Sequence, residues 1–379
     1  MMATTIGRWT RYNLFATPAS ALLSLVSIPF TAYVAYLAAR WVFTVAQWSV
    51  VFDNLTVLLV GTFPHDQMWR ALLACGVLCA LVGITLGVVL TSRRWRGSAV
   101  IAAALAILSA VAFGVHMHWI AGTAGYGAIF LAARAATVHW PQLGRGIGVL
   151  WAIGLGAICA LLAPAGVDHW GGLLVSVLVT AIATLLSLPL GIALAFGRNS
   201  RFASLRLACA GYIELVRSVP LICIVYWLWI IVPLVFPPQA YISDLARGVA
   251  GFVFFYAAYA AEYVRGGIQG VAKGQVEAAQ SLGFSKRDEC FIVVLPQALK
   301  AVIPALVGNV LDLFNNVPAL FIIGLTDFLK SGQLILSNPQ YSAHQYEVYC
   351  FLFAAYLAIG SLISYVARRI ERKMGQGAR

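Results

Sequence analysis

Charged side chains are scarce in this 379-residue chain, at 10% of all residues, and some kinds are missing from long stretches. No glutamate occurs before Glu214 and no lysine before Lys273. None of the five lysines follows a glycine, so the Gly-Lys-Ser/Thr element of a phosphate-binding loop is missing and we expect no ATP hydrolysis on this chain. The six histidines and seven cysteines form no cluster with acids, so neither a metal nor another cofactor is predicted.

Apolar residues, in contrast, make up 61% of the chain, and its mean hydropathy is +0.88. Many apolar runs approach the ~20 residues that cross a bilayer, and they show no alternation typical of a β-barrel. We therefore predict an all-α polytopic membrane protein. The net charge of +12 does not indicate a nucleic-acid partner, because the basic residues collect in short loops beside the apolar runs, as orientation in lipid requires.

Ten spans are predicted, and basic clusters fall on one side of this scheme, so both termini are expected in the cytoplasm. The spans cover residues 19–39, 71–91, 98–118, 120–138, 147–165, 172–197, 208–236, 245–268, 299–325 and 346–367. The first is too long for a signal-peptide core and is interpreted as a retained span. Residues 42–69 and 326–345 are expected to be external loops.

The composition changes near residue 168, after which most of the polar residues occur. We therefore divide the chain into an N-terminal transmembrane extension of three to five spans, residues 1–168, and a working unit, residues 169–379.

Residues 273–297, here called the charged loop, are too polar to lie in lipid. Residues 275–281 favour a helix, Gly283 suits its C-terminal turn, and Ser285 can cap a second helix. Pro296 is expected to separate this second helix from the next span. The pattern alone leaves two interpretations open, a docking element for a soluble partner and an ordinary solvated loop.

Several motifs in and around the charged loop occur in a fixed order. They are Tyr212 to Leu221 (YIELVRSVPL), Tyr259 to Gly267 (YAAEYVRGG), Glu277-Ala278-Ala279, Gly283 and Leu295-Pro296. Together they resemble the permease subunits of bacterial ABC importers for polar and general L-amino acids, over about residues 170 to 370. The length and plan are similar to the larger subunits of this family, which carry additional N-terminal spans.

The resemblance implies a type I ABC importer fold with a five-helix permease core in the bacterial inner membrane. It implies that the charged loop docks on a cytoplasmic ABC ATPase dimer through Glu277, Ala278, Ala279, Gly283, Leu295 and Pro296. It also implies two further partners, a second permease that is a different but homologous chain and a periplasmic amino-acid-binding protein. ATP binding on the partner would then shift the permease between inward-open and outward-open states.

Polar residues inside predicted spans are costly and need partners. Glu214 and Arg217, like Glu262 and Arg265, lie three residues apart and are candidate ion pairs, either structural or involved in gating or substrate contact. A second set is a candidate substrate path or gate, or else a site of helix–helix hydrogen bonding: Asn309, Asp312, Asn315, Asn316 and Pro318.

Within this second set, Asn309, Asp312 and Asn316 share one helix face, and Pro318 is predicted to kink the span. Asn315-Asn316-Val317 stands where many relatives have Lys-Asp-Thr or Lys-Asp-Ser, so this turn departs from the family pattern.

Two other functions were weighed against the importer permease. An ion-coupled secondary transporter of small polar solutes would need matching polar breaks in both halves of the chain. The first 168 residues contain nothing that mirrors 309–316. A membrane enzyme would need a nucleophile, a base and metal ligands gathered together, and the histidines do not provide this pattern.

Overall fold

The computed structural model describes residues 12–89, 117–144, 146–237 and 242–375, and these residues are helical without a β-strand. Before residue 168 the α-helices are α1 (Pro18–Arg40), α2 (Ser49–Asp53), α3 (Leu55–Val60), α4 (Met68–Val89), α5 (Met117–His139) and α6 (Ile147–Leu162). After it come α7 (Gly172–Arg198), α8 (Ala203–Ser218), α9 (Leu221–Val235), α10 (Asp244–Gln269), α11 (Lys273–Ser281), α12 (Lys286–Asp288), α13 (Leu295–Asn316), α14 (Phe328–Leu336) and α15 (Gln345–Gly375).

Within the described ranges, six helical stretches are long and apolar enough to cross a membrane, and the pair α8 and α9 would add a seventh. The all-helical membrane fold predicted from the sequence is therefore confirmed. The predicted span at 98–118 lies outside the described residues except for its last two positions. Helix α5 covers the predicted span at 120–138, and α10 covers that at 245–268, although neither is among the six most apolar stretches.

The described residues from Tyr12 to Ser49 form a compact unit of their own, built on α1. Its start is specified locally, because Thr17 and Ser20 cap each other and Pro18 occupies the first turn. Nearly all of its apolar side chains are exposed, with 6% of the span buried, which suits a helix surrounded by lipid.

The second unit begins at Val50, and α10 lies at its centre, packed against α7, α8, α9 and α13. One hydrophobic cluster runs through this unit and includes Phe63 and Ile158 as well as Leu174 and Phe252. Side chains from both sides of residue 168 therefore share one core. The division at residue 168 stays a proposal based on composition.

The interpretation of residues 42–69 as an external loop is corrected in part by this core. Helices α2 and α3 lie within that range, and their residues Val51, Leu55 and Leu58 are fully buried. Helix α3 packs against α7 and α14. The aliphatic side chains of this short segment are removed from solvent, which explains why it forms helices rather than a solvated loop.

The span predicted for residues 208–236 is broken. Helices α8 and α9 meet at an angle of 112°, across a break at Val219 and Pro220. A proline disfavours helical backbone in the residue before it, and Val219 is accordingly extended, at φ −108° and ψ 138°. The hydropathy of the stretch is continuous, whereas the helix is not.

The next span, in contrast, is more continuous than predicted. Residues Lys286–Ile323 form one stretch of 38 residues, so Pro296 does not separate the charged loop from it. A π-helical segment, Glu289–Val294, precedes α13 and shifts the hydrogen-bond register before the proline, which then sits in the first turn of α13. Pro318 gives no sharp kink and instead begins a 3-10 segment, Val317–Ile323.

Residues 326–345 are also not a simple external loop. They contain α14, whose N-terminus is capped by Asp327 through the N–H groups of Leu329 and Lys330. Asp327 and Ser331 are fully buried, and a backbone bridge joins Asp327 to Gly172 at the start of α7. The polar residues of this stretch are thus partly internal.

Candidate functional site: the charged loop and a polar strip

The charged loop folds as the local signals predict. Helix α11 ends in a Schellman turn, in which Phe284 N–H bonds to the Ala279 carbonyl and Gly283 N–H to the Gln280 carbonyl. Gly283 has φ +77°, a left-handed conformation that only glycine adopts without strain. Ser285 then caps α12 by accepting from the N–H of Asp288. The predicted order of helix, glycine turn and capped second helix is confirmed.

The loop offers an exposed surface that mixes polar and apolar groups. Glu277, Ala278 and Gly283 are exposed, whereas Ala279 is buried against the rest of the loop. Beside them the side chain of Leu282 is 76% exposed, an unusual position for leucine in a segment too polar for lipid. Of the other two loop residues selected from the sequence, Leu295 is half-buried and Pro296 is exposed.

A hydrogen bond of 3.0 Å between Gln280 and Glu289 ties α11 to the start of the long stretch Lys286–Ile323.

The acid Glu262, on α10, is the centre of an ionic cluster. Its carboxylate oxygens lie 2.7 Å from Arg265, 2.9 Å from Arg198 and 3.4 Å from Arg217. The side chain of Glu262 is only 16% exposed, so these contacts form in a partly desolvated place where unpaired charge is costly. The predicted pair Glu262–Arg265 is confirmed.

The other predicted pair is not formed. Among the described residues, Glu214 pairs with Arg198 at 2.8 Å, and Arg217 turns to Glu262 and to the ring of Tyr259. Glu214 and Arg217 are both on α8, whereas Arg198 ends α7 and Glu262 is on α10. The ion pairs therefore connect α8 to α7 and α10, and no pair forms within α8. Arg198 was missed as a site residue, although a basic residue at a span end opposite two acids could have suggested it.

The polar set on α13 meets α10 at Tyr256. The Tyr256 hydroxyl donates to Asp312 Oδ2 at 2.9 Å, and the Asn316 amide lies 3.3 Å from the same hydroxyl oxygen. Asn316 also donates to the backbone carbonyl of Asp312 at 2.8 Å. Tyr256 itself is 1% exposed, and no pattern in the sequence had marked it, since aromatic residues are common in helix interfaces.

The remaining members of the α13 set lie apart from this hydrogen-bond group. Asn309 is half-buried one turn before Asp312, on the same face. Asn315 is exposed and points about 100° round the helix from Asn316. Pro318 lies at the second position of the 3-10 segment. The structure thus groups Asp312 and Asn316 directly and places Asn309 beside them.

One buried acid outside the predicted set stands out. Burial raises the pKa of Asp327 from 3.8 to about 6, even though the N–H groups of Lys330 and Leu329 favour its charged form. The sequence carries the signal of a cap here, Asp followed by Phe-Leu, but the segment was interpreted as an external loop.

The part of the chain that the structure describes contains no group of three or more His, Cys, Asp or Glu side chains able to hold a metal ion. It contains an exposed loop joined by a continuous helical stretch to a polar strip, formed by Asn309, Asp312 and Asn316 of α13 together with Tyr256 of α10. Together with the helices long enough to cross a membrane, these features define the class of the protein as a membrane-spanning permease.

Comparisons with known proteins agree with this class. Residues 187–376 match the family of binding-protein-dependent transport system inner membrane components, and the chain belongs to that family. It is 30% identical to the inner membrane amino-acid ABC transporter permease protein YhdY of Escherichia coli, over 97% of this chain and 93% of that one.

Two further relatives carry names of the same kind. The glutamate/glutamine/aspartate/asparagine transport system permease protein BztC of Rhodobacter capsulatus is 28% identical over 97% of this chain and 93% of its own. The glutamate/aspartate import permease protein GltK of Escherichia coli is 31% identical, over 52% of this chain and 91% of its own. The chain is therefore a multi-pass inner-membrane permease subunit of the ABC importer class.

Proposed function

We propose that this chain is the non-catalytic translocation subunit of an ATP-driven importer that carries polar L-amino acids from periplasm to cytoplasm. The observation that carries the proposal is the single stretch Lys286–Ile323, which begins in the charged loop and contains Asp312. The 26 residue steps from Lys286 to Asp312 span about 39 Å at 1.5 Å per residue. A displacement of the loop by a soluble partner therefore reaches the polar strip through one continuous helical stretch.

The partner at the loop is a cytoplasmic ABC ATPase dimer. Exposed Glu277 offers polar contacts, Ala278 permits close approach, and Leu282 gives an apolar anchor. Gly283 fixes the angle between the two helices of the loop. Leu295 and Pro296 lie where the loop joins α13 and pass its motion onward.

The partner within the membrane is a second permease, a different but homologous chain. Asp312 and Asn315 are exposed on α13, and such groups are too costly to face lipid hydrocarbon. A facing permease would cover them and complete a polar path of which Asn309, Asn316 and Pro318 form one wall. A periplasmic binding protein delivers the amino acid, a substrate class supported by the names of the relatives YhdY and BztC.

The N-terminal extension, residues 1–168, holds the working unit, residues 169–379, in the bilayer. Both termini lie in the cytoplasm in this arrangement, which places the charged loop on the same side as the ATPase.

The test is reconstitution of the chain with its ATPase, second permease and binding protein in vesicles. Uptake of labelled amino acid should require ATP. Gly283→Ala places a Cβ at φ +77°, at a cost of about 1 kcal/mol, and should reduce uptake several-fold while the ATPase still turns over. Gly274→Ala is the matched control, because that position is also in open space but has an ordinary helical backbone. Uptake driven by an ion gradient without the ATPase would overturn the proposal.

A further inference from the structure

Helix α8 lies across the spans rather than along them. It meets α9 at 112°, not far from a right angle. Helix α9 runs antiparallel to α10, because Val225 lies against Gly251 while Trp229, one turn further on, bonds to Asp244 near the start of α10. Helix α9 therefore follows the direction of the spans, and α8 lies close to the plane of the membrane.

The depth of α8 is fixed by its contact with the end of α7. Glu214 of α8 bonds to Arg198, the last residue of α7, at 2.8 Å. The same end of α7 touches the charged loop, since the rings of Phe196 and Phe291 are 5.9 Å apart. Helix α8 thus lies at the end of the spans, on the side of the charged loop.

One face of α8 is apolar and uncovered. Cys209 and Ile213 are buried against α7 and α10. On the opposite face, Leu207 and Leu215 are 70% and 66% exposed, and a Cβ added at Gly211 between them would meet nothing within 4 Å. An apolar face on a helix that lies in the membrane plane is typical of insertion between lipid headgroups and acyl chains.

Two cations without an acidic partner lie at the N-terminal end of α8. Arg201 and Arg206 are exposed, and between them the ring of Phe202 is 73% exposed. Within the described ranges neither arginine forms an ion pair, and the sequence has no acid between positions 168 and 214. Arg206 donates one N–H to the carbonyl of Ser200 at 3.2 Å, which leaves guanidinium donors for another acceptor.

We propose that α8 binds anionic phospholipid in the leaflet on the side of the charged loop, with Arg201 and Arg206 at the phosphate and Leu207 and Leu215 among the acyl chains. One such lipid supplies both an anion for the guanidiniums and hydrocarbon for the leucines. A zwitterionic lipid would bring a cation of its own to the two arginines. The inference goes beyond the proposed function, because it depends on neither the substrate nor the ATPase.

The test measures which lipid touches α8 in the purified permease complex, held in nanodiscs. The native cysteines are replaced, and Leu207→Cys carries a bimane fluorophore. The discs contain equal amounts of phosphatidylglycerol and phosphatidylcholine, and one of the two is brominated on its acyl chains. Bromine quenches on contact, so brominated phosphatidylglycerol should quench about twofold more than brominated phosphatidylcholine, and the preference should shrink at high salt.

The variants assign the preference to the two cations. Arg201→Gln combined with Arg206→Gln should make the two brominated lipids quench equally. Arg201→Lys combined with Arg206→Lys keeps both charges and should retain most of the preference. Arg368→Gln combined with Arg372→Gln is the matched control, because it removes two exposed arginines from α15 and should leave the preference at Leu207→Cys unchanged. Equal Tm values establish that the variants fold.

Three results would overturn the inference. The first is no quenching by either lipid, which would mean that protein, such as a second permease, covers α8. The second is equal quenching by the two lipids while both arginines are present. The third is a preference that survives the loss of both arginines. ATP-driven uptake by the same complex tests the proposed function separately, and neither result decides the other.

Discussion

The ionic cluster around Glu262 gives a quantitative prediction about the stability of the permease core. Glu262→Gln keeps the shape of the side chain and removes the charge that three guanidiniums share. Breaking a fully buried ion pair from one side costs about 3–5 kcal/mol. The side chains of Arg198 and Arg265 are 24% and 30% exposed, so water solvates part of the charge left unpaired. We therefore expect the free energy of unfolding to fall by about 2 kcal/mol.

The same cluster contains its own control. Glu214 also pairs with Arg198, at 2.8 Å, but its side chain is 67% exposed. An exposed pair of this kind contributes about 0–1 kcal/mol, so Glu214→Gln should be nearly neutral. Arg265→Gln added to Glu262→Gln removes one of the unpaired cations and should restore part of the lost stability.

The measurement is thermal unfolding of the purified complex in detergent. Unfolding is monitored by thiol labelling of the buried Cys209, which lies against Gly197 between α7 and α8, in a background in which the other six cysteines of the chain are replaced. For the unit from Val50 to Arg379, of ~330 residues, 2 kcal/mol corresponds to a decrease in Tm of about 3 °C. Equal Tm values for Glu262→Gln and the wild type would refute the assignment of Glu262 as the centre of the cluster. So would equal losses for Glu262→Gln and Glu214→Gln.

Two further predictions concern packing and pH. Gly191→Ala would bring a Cβ within 2.6 Å of Ala260 Cβ and should destabilise the contact of α7 with α10 by about 1–3 kcal/mol. Gly308→Ala is the control, because a Cβ there meets nothing within 4 Å, and it should be neutral in the same thermal assay. Equal effects of the two changes would contradict the packing. For Asp327, whose pKa is raised from 3.8 to about 6, the folded state binds the proton more tightly than the unfolded state. Its contribution to stability is therefore full below about pH 4 and falls by about 3 kcal/mol as the pH rises to about 6. Asp327→Asn should flatten the stability profile over that range, and an unchanged slope would refute the assignment.

Features with local causes could be predicted from the sequence. The Schellman turn at Gly283 and the cap at Ser285 depend on residues a few positions apart, and both were expected. The break at Pro220 also had a local signal, but the uninterrupted hydropathy of residues 208–236 was given more weight. Hydropathy reports the surroundings of a segment and not the path of its backbone.

Contacts between distant residues could not be predicted in this way. Arg198 and Glu262 are 64 residues apart, and Tyr256 and Asp312 are 56 apart. Which arginine meets which glutamate is decided by the crossing of α7, α8 and α10, and spacing along one helix suggested the wrong partner for Glu214. The buried helices α2 and α3 were missed because their polar neighbours, such as Asp53 and Asp66, resemble those of a loop.

The core shared across residue 168 has a consequence for the modularity of the chain. Phe63 and Ile158 belong to the same hydrophobic cluster as Leu174 and Phe252, so the two compositional halves meet as interface partners do. The chain could be cut in the exposed Asp168-His169 segment and made as two separate polypeptides. Their matching apolar faces should then reassociate. Helices α3, α4 and α6 thus pack on the later helices as a bound subunit does.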